Sequence, residues 1–214
     1  MAITREQILN RAISEVGVTE YPPNSNKVKY NTWYYGKEVS GASYPWCMTF
    51  IQWIFKDSGL LPIKTASCSA LYNEFKKRGQ IVTNPEPGDI VFFKWNTSNY
   101  PCQHVGLVLS VGGSAIISIE GNTSINSNDN GGSVMRRSRP RNKSIVAYAR
   151  PKWENVPLTE DKPVTSPKKT VDEVAREVIK GKWGVNPQRK KDLEAAGYNY
   201  NEVRDRVNQL MARK

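Results

Sequence analysis

One histidine and three cysteines limit the nucleophilic chemistry open to this 214-residue chain. A cysteine–histidine pair can draw only on His104, whereas zinc hydrolases usually need two or more histidine ligands. Cys47 stands in Tyr44-Pro45-Trp46-Cys47-Met48, at the first turn of an expected helix. Unpaired backbone N–H groups and the positive helix end lower a thiol's pKa there, and the same groups can hold an oxyanion. Cys68 also lies near a helix start, so position alone does not exclude it. Cys102, two residues before His104, points parallel to it if both lie in one strand, a poor arrangement for proton transfer. Glu120 closes the apolar run Ser114–Glu120 just before Gly121-Asn122. From a strand beside the histidine strand, its carboxylate is placed to orient the imidazole, with Asn122 as a second candidate, although Gly-Asn is also a common turn pair.

The elements that must position these residues are readable in outline. Thr4 and Gln7 form an expected capping box, Ile8, Leu9, Ala12, Ile13 and Val16 one apolar face, and Gly17 the stop. Residues 20–45 read as a Tyr-, Pro- and Asn-rich loop. Helices follow over about 46–58 and 69–78, each closed by a glycine. Strands are expected at 89–93, 104–111, 115–120 and 145–150, where short Val- and Ile-rich runs alternate with turn residues. Helices first and neighbouring strands afterwards indicate an α+β domain with an antiparallel sheet over residues 1–150. Residues 151–169, with four prolines among Lys, Thr, Ser and Glu, read as an extended linker. Residues 170–214 read as a three-helix bundle: a capping box at Thr170 and Glu173, a second helix opened by Asn186-Pro187, and a third carrying Val203, Val207, Leu210 and Met211.

The net charge of +11 favours an anionic partner, whether nucleic acid, membrane surface or cell wall. Residues 1–150 hold 17 basic and 10 acidic side chains and residues 151–214 hold 14 and 10, so both parts are basic. Acidic residues interrupt every tail helix and leave no Arg/Lys stripe, which disfavours a nucleic-acid reader. No apolar run is long enough for a transmembrane helix. The start lacks a signal-peptide pattern, and three cysteines without metal-ligand spacing argue against a disulfide framework. The chain is therefore expected to be made in a reducing cytoplasm and to act elsewhere only after release.

Four pieces in order, Trp46-Cys47 with Phe50-Ile51-Gln52-Trp53, Pro87-Gly88-Asp89-Ile90-Val91-Phe92-Phe93, His104-Val105-Gly106-Leu107-Val108 and Ile119-Glu120-Gly121-Asn122, resemble the CHAP family of cysteine, histidine-dependent amidohydrolases and peptidases, many of them phage endolysins. The resemblance implies a papain-like fold with Cys47 as nucleophile, His104 as general base, Glu120 orienting His104 and Asn122 assisting. Trp46 and Gln52 are expected to face substrate. Related NlpC-type peptidases typically orient the base with a second histidine, which this chain lacks. Some phage CHAP domains bind calcium through an acidic loop near the N-terminus. The corresponding residues 21–27 hold no aspartate, so no metal or other cofactor is expected. One carboxylate among Asn126–Asn130 favours a flexible loop over a metal site. The tail, through Val171–Ile179, Gly181-Lys182-Trp183-Gly184, Arg189, Leu193, Ala196-Gly197-Tyr198 and residues 200–210, resembles the cell-wall-binding repeat of the Cpl-seven lysozyme type. That family recognises the muropeptide part of peptidoglycan. Trp183 and Gly184 are expected to offer a sugar-stacking face and Arg189 an acidic-group partner, with a core role for Trp183 and a solvated one for Arg189 as the alternatives.

Overall fold

Six strands form one antiparallel sheet in a computed structural model that describes residues 3–153, 169–184, 186–196 and 198–211. In chain order they are β1 (Ile81–Val82), β2 (Ile90–Phe93), β3 (His104–Val111), β4 (Ala115–Thr123), β5 (Ser133–Pro140) and β6 (Ile145–Ala149). They lie side by side as β1-β6-β2-β3-β4-β5. Helices α1 (Arg5–Ser14), α2 (Lys29–Tyr35), α3 (Cys47–Ile54) and α4 (Cys68–Lys77) precede or border the sheet. The chain is α+β and divides into two compact units, residues 1–160 and 161–214. Most of the expected linker, residues 154–168, lies outside the described residues.

α1 starts as expected, with Thr4 accepting from the Gln7 N–H and the Gln7 side chain returning to the Thr4 N–H. α2 lies inside the stretch expected to be loop. Aromatic and polar residues of modest helix propensity fill it, so tertiary contacts must hold it. Asn31, fully buried, donates to the carbonyls of Asn26 and Tyr44 at 2.9 Å each and accepts from Thr49 Oγ1 at 2.7 Å, tying α2 and its loop to α3. Pro87-Gly88-Asp89 makes a turn rather than a site. Buried Asp89 receives Nε and NH2 of Arg150 at 3.0 and 2.9 Å, fastening β2 to the end of β6.

α3 packs across β3 and β4, where Gly121 permits its approach and Gly106 makes room for Glu120 between the strands. A Cβ at Gly121 would stand 2.7 Å from Phe50 Cβ and 2.9 Å from the Trp46 ring, and one at Gly106 2.7 Å from Glu120 Cγ. Each glycine thus supplies room that a neighbour already fills.

In the second unit, α5 (Val171–Ile179), α6 (Gln188–Ala195) and α7 (Tyr200–Met211) surround Val174, Val178, Leu193 and Val203. Thr170 and Glu173 form the capping box read from the sequence. Pro187 stands at the N-cap of α6, one position earlier than expected.

Gly121→Ala should destabilise the chain by about 1–3 kcal/mol through overpacking against α3. A lower urea midpoint with an unchanged slope would show it, whereas an unchanged midpoint would mean the contact relaxes freely.

Candidate active site

Antiparallel pairing brings the end of β4 alongside the start of β3, and with them the residues expected to do chemistry. His104, Glu120 and Asn122 are all fully buried. His104 Nε2 lies 3.0 Å from Glu120 Oε2. Burial pushes the Glu120 carboxyl up, but hydrogen bonds from Arg139 and His104 outweigh it and hold the group at about 2. An ionised carboxylate only accepts, so the imidazole must carry its proton on Nε2 and donate it. The other nitrogen, Nδ1, is buried and has no hydrogen-bond partner. The result is a lone pair on a buried nitrogen, set by a fixed tautomer.

Two further side chains hold Glu120 through three hydrogen bonds. Arg139 Nε reaches Oε1 at 2.8 Å and NH2 reaches Oε2 at 2.5 Å, while Ser118 Oγ donates to Oε1 at 2.5 Å. Arg139 also donates to Asn128 Oδ1 at 2.6 Å. Its guanidinium carbon lies 5.2 Å from the Phe93 ring centre and 5.3 Å from that of Trp95. Sequence reasoning missed Arg139, Ser118, Asn128 and Trp95. The only sequence signal for Arg139 was the alternation of Arg137 and Arg139 two apart, which places both on one face of a strand.

Cys47 opens α3 as expected, 7% exposed, and its helix has no side-chain cap. The backbone N–H groups of Met48 and Cys47 point at its sulfur and favour the thiolate. The expected lowering of the thiol does not follow: burial pushes it up, Cys68 adds to this, and the helix-end amides offset only part. Cys68, at the start of α4, donates its thiol to the Cys102 carbonyl at 3.2 Å. All three cysteines are free. Cys68 is the thiol held low, chiefly by a hydrogen bond from the Cys102 side chain. Its sulfur is thus engaged with the residues before β3.

The remaining expectations fare differently. Asn122 makes no hydrogen bond to the imidazole. It adopts φ 57°, and its Oδ1 accepts from the Gly132 N–H at 3.3 Å while its backbone carbonyl accepts from Gly131 at 2.9 Å. It shapes the β4–β5 turn. That turn, expected to be a flexible loop, is fastened by Arg137 to the Ser124 carbonyl and by Arg137 and Arg139 to Asn128. Trp46 is fully buried and donates its indole N–H to Glu20 at 3.0 Å, so its ring is core and not a substrate face. Gln52, also buried, donates to the Ile63 carbonyl at 3.1 Å and secures a loop. In the second unit Trp183 is half-buried, packs on the Val174 cluster and donates to Glu177 at 3.2 Å. Exposed Gly184 takes φ 63°, and Arg189 turns onto the Gly184 carbonyl at 2.9 Å through Nε.

With the fold and this geometry in view, residues 39–122 match the CHAP domain model and residues 172–211 match the CW_7 repeat model. The chain therefore carries a CHAP domain followed by a CW_7 repeat. No curated protein is similar to it. Among solved structures it is similar to one described as "The crystal structure of Ly7917", at 17% identity and a TM-score of 0.44, with 70% of this chain and 63% of that chain covered. This chain thus spans less than two thirds of that protein's length.

Glu120→Gln would leave Arg139 buried without its counter-charge, and stability near neutral pH should fall by about 3–5 kcal/mol. Because the Glu120 carboxyl is held at about 2 against an ordinary 4.5, the stability it contributes is complete above pH 4.5 and lost as pH falls towards 2. Denaturation midpoints of the two chains should therefore converge over that window. Parallel curves would mean that Glu120 is not ionised in the fold.

Proposed function

We propose that the chain is a cysteine-dependent peptidoglycan hydrolase that cleaves an amide bond in the peptide part of the bacterial wall. The observation that carries this reading is the buried His104, whose Nε2–H is committed to Glu120 and whose Nδ1 is unengaged. Cys47 is the nucleophile, His104 its base, and Glu120 the group that fixes the imidazole.

Because burial raises the thiol, the resting site holds a neutral thiol and a lone-pair nitrogen, and deprotonation accompanies attack. Cys47 Sγ bonds to the amide carbonyl as its proton passes to His104 Nδ1. The developing oxyanion is held by the uncapped N–H groups at the start of α3. The C–N bond then breaks, the amine leaves with the proton from His104, and water releases the acyl group from the thioester with His104 as base. Asn122 supports the site through the turn it shapes.

The reading assigns residues 170–214 to holding the muropeptide, with the exposed part of Trp183 beside Gly184 as its contact. A net charge of +11 would concentrate the enzyme on anionic wall polymers. Action on the wall of the producing bacterium after release, as in a phage endolysin, fits the three free thiols. Both N-acetylmuramoyl-L-alanine amidase and peptide-bridge endopeptidase chemistry are compatible with these residues.

Cys47→Ala should reduce turbidity loss of wall suspensions by about a thousandfold or more while the protein still pellets with walls. Lysis at the wild-type rate would eliminate Cys47 as nucleophile. Mass spectrometry of the soluble products separates the two bond classes: an amidase frees peptides from N-acetylmuramic acid, whereas an endopeptidase leaves stem peptides on the glycan.

A further inference from the structure

We propose that Arg139 is a positioning residue of this site, holding the Glu120 carboxylate in one plane and balancing its charge so that His104 keeps its proton on Nε2 and its lone pair on Nδ1. This rests on the reading of His104 as the base for Cys47. Nothing in the family match reaches Arg139, which lies on β5 beyond residue 122.

The geometry is that of a fork. Nε and NH2 of Arg139 each meet one oxygen of Glu120, at 2.8 and 2.5 Å, and NH1 is fixed by Asn128 at 2.6 Å. Such a two-point grip sets the rotation of the carboxylate as well as its position. Oε2, gripped by NH2, is also the oxygen 3.0 Å from His104 Nε2. Aromatic rings fix the guanidinium in turn. Phe93 and Trp95 stack on each other at 5.4 Å with their planes 9° apart, and both approach Arg139. The same rings approach the imidazole, with centres 6.0 and 5.7 Å from it. Base and counter-ion thus share one aromatic wall.

The charged and titratable groups around Glu120 are few. β3 contributes His104, β4 the Ser118 hydroxyl, and β5 Arg139 with Arg137 at longer range. Asp129, on the β4–β5 turn, acts on Cys47. Arg139 is the cation in contact with the carboxylate. Without it, Glu120 would be a fully buried anion facing a neutral imidazole, and the His104–Glu120 pair would hold a shared proton to higher pH. A proton in that pair either occupies Nδ1 or weakens the grip on Nε2, and each outcome blunts the base.

His104 is the single histidine, so its ring signals report this pair without assignment ambiguity. The test uses the full chain as wild type, Arg139→Met, Arg139→Lys and Cys47→Ala, with the ring followed by NMR against pH and lysis rate against pH. In Arg139→Met the pair should release its proton about one pH unit or more above wild type, the lysis optimum should move alkaline with it, and the rate at pH 7 should fall about tenfold. Arg139→Lys keeps a cation but lacks the fork, so its proton release should stay near wild type while turnover falls. A merely structural arginine would lower the rate at every pH and move neither midpoint. Arg139→Met with a wild-type titration and optimum overturns the proposal. If Arg139→Met does not fold, wild-type turnover in Arg139→Lys overturns it instead. Undiminished lysis by Cys47→Ala would sink the functional reading and leave the titration result standing on its own.

Discussion

A carboxylate with no exposed surface that remains ionised is the constraint around which the first unit is organised. Removing Glu120 from water is unfavourable unless donors surround it, and the chain supplies them from three strands: His104 from β3, Ser118 from β4 and Arg139 from β5. Those strands must therefore pair in one register. Gly106 follows from the same demand, since any side chain there would occupy the space of the Glu120 methylene. The acidic group that orders the sheet is also the one that fixes the imidazole tautomer.

Cys47 is positioned by a second, mostly apolar set of contacts. α3 reaches the sheet because Gly121 lets Trp46 and Phe50 lie against β4. Trp46 is held by Glu20, and Asn31 joins α2 to both flanks of Cys47. Tight packing around Cys47 has an electrostatic consequence. The helix end favours the thiolate while burial opposes it more strongly, so the Cys47 thiol is pushed up on balance.

Several sequence expectations failed for one physical reason. Trp46 and Gln52 lie near Cys47 in the chain, but residues beside a buried helix start are drawn into the core, where their polar atoms meet Glu20 and the Ile63 carbonyl. β5 escaped notice because its inward positions include Arg137 and Arg139. The usual alternation of apolar and polar residues is disguised when an inward cation meets a buried anion. α2 was hidden likewise, its helix being stabilised by Asn31 and Tyr30 against other elements rather than by its own propensities.

The amino-acid sequence by itself determined what depends on local periodicity and on residue supply. It set the helix at Thr4 with its capping box, the strand at 104–111, the three tail helices, and a single histidine that any cysteine nucleophile would have to use. Tertiary structure decided what depends on burial and on contacts between distant strands. It placed Glu120 beside His104 from 16 residues away and Arg139 beside Glu120 from 19, and it left Nδ1 as the free nitrogen. It also reversed the expected effect on the Cys47 thiol. The energy of a charge is set by how much solvent has been excluded around it, which no spacing along the chain records.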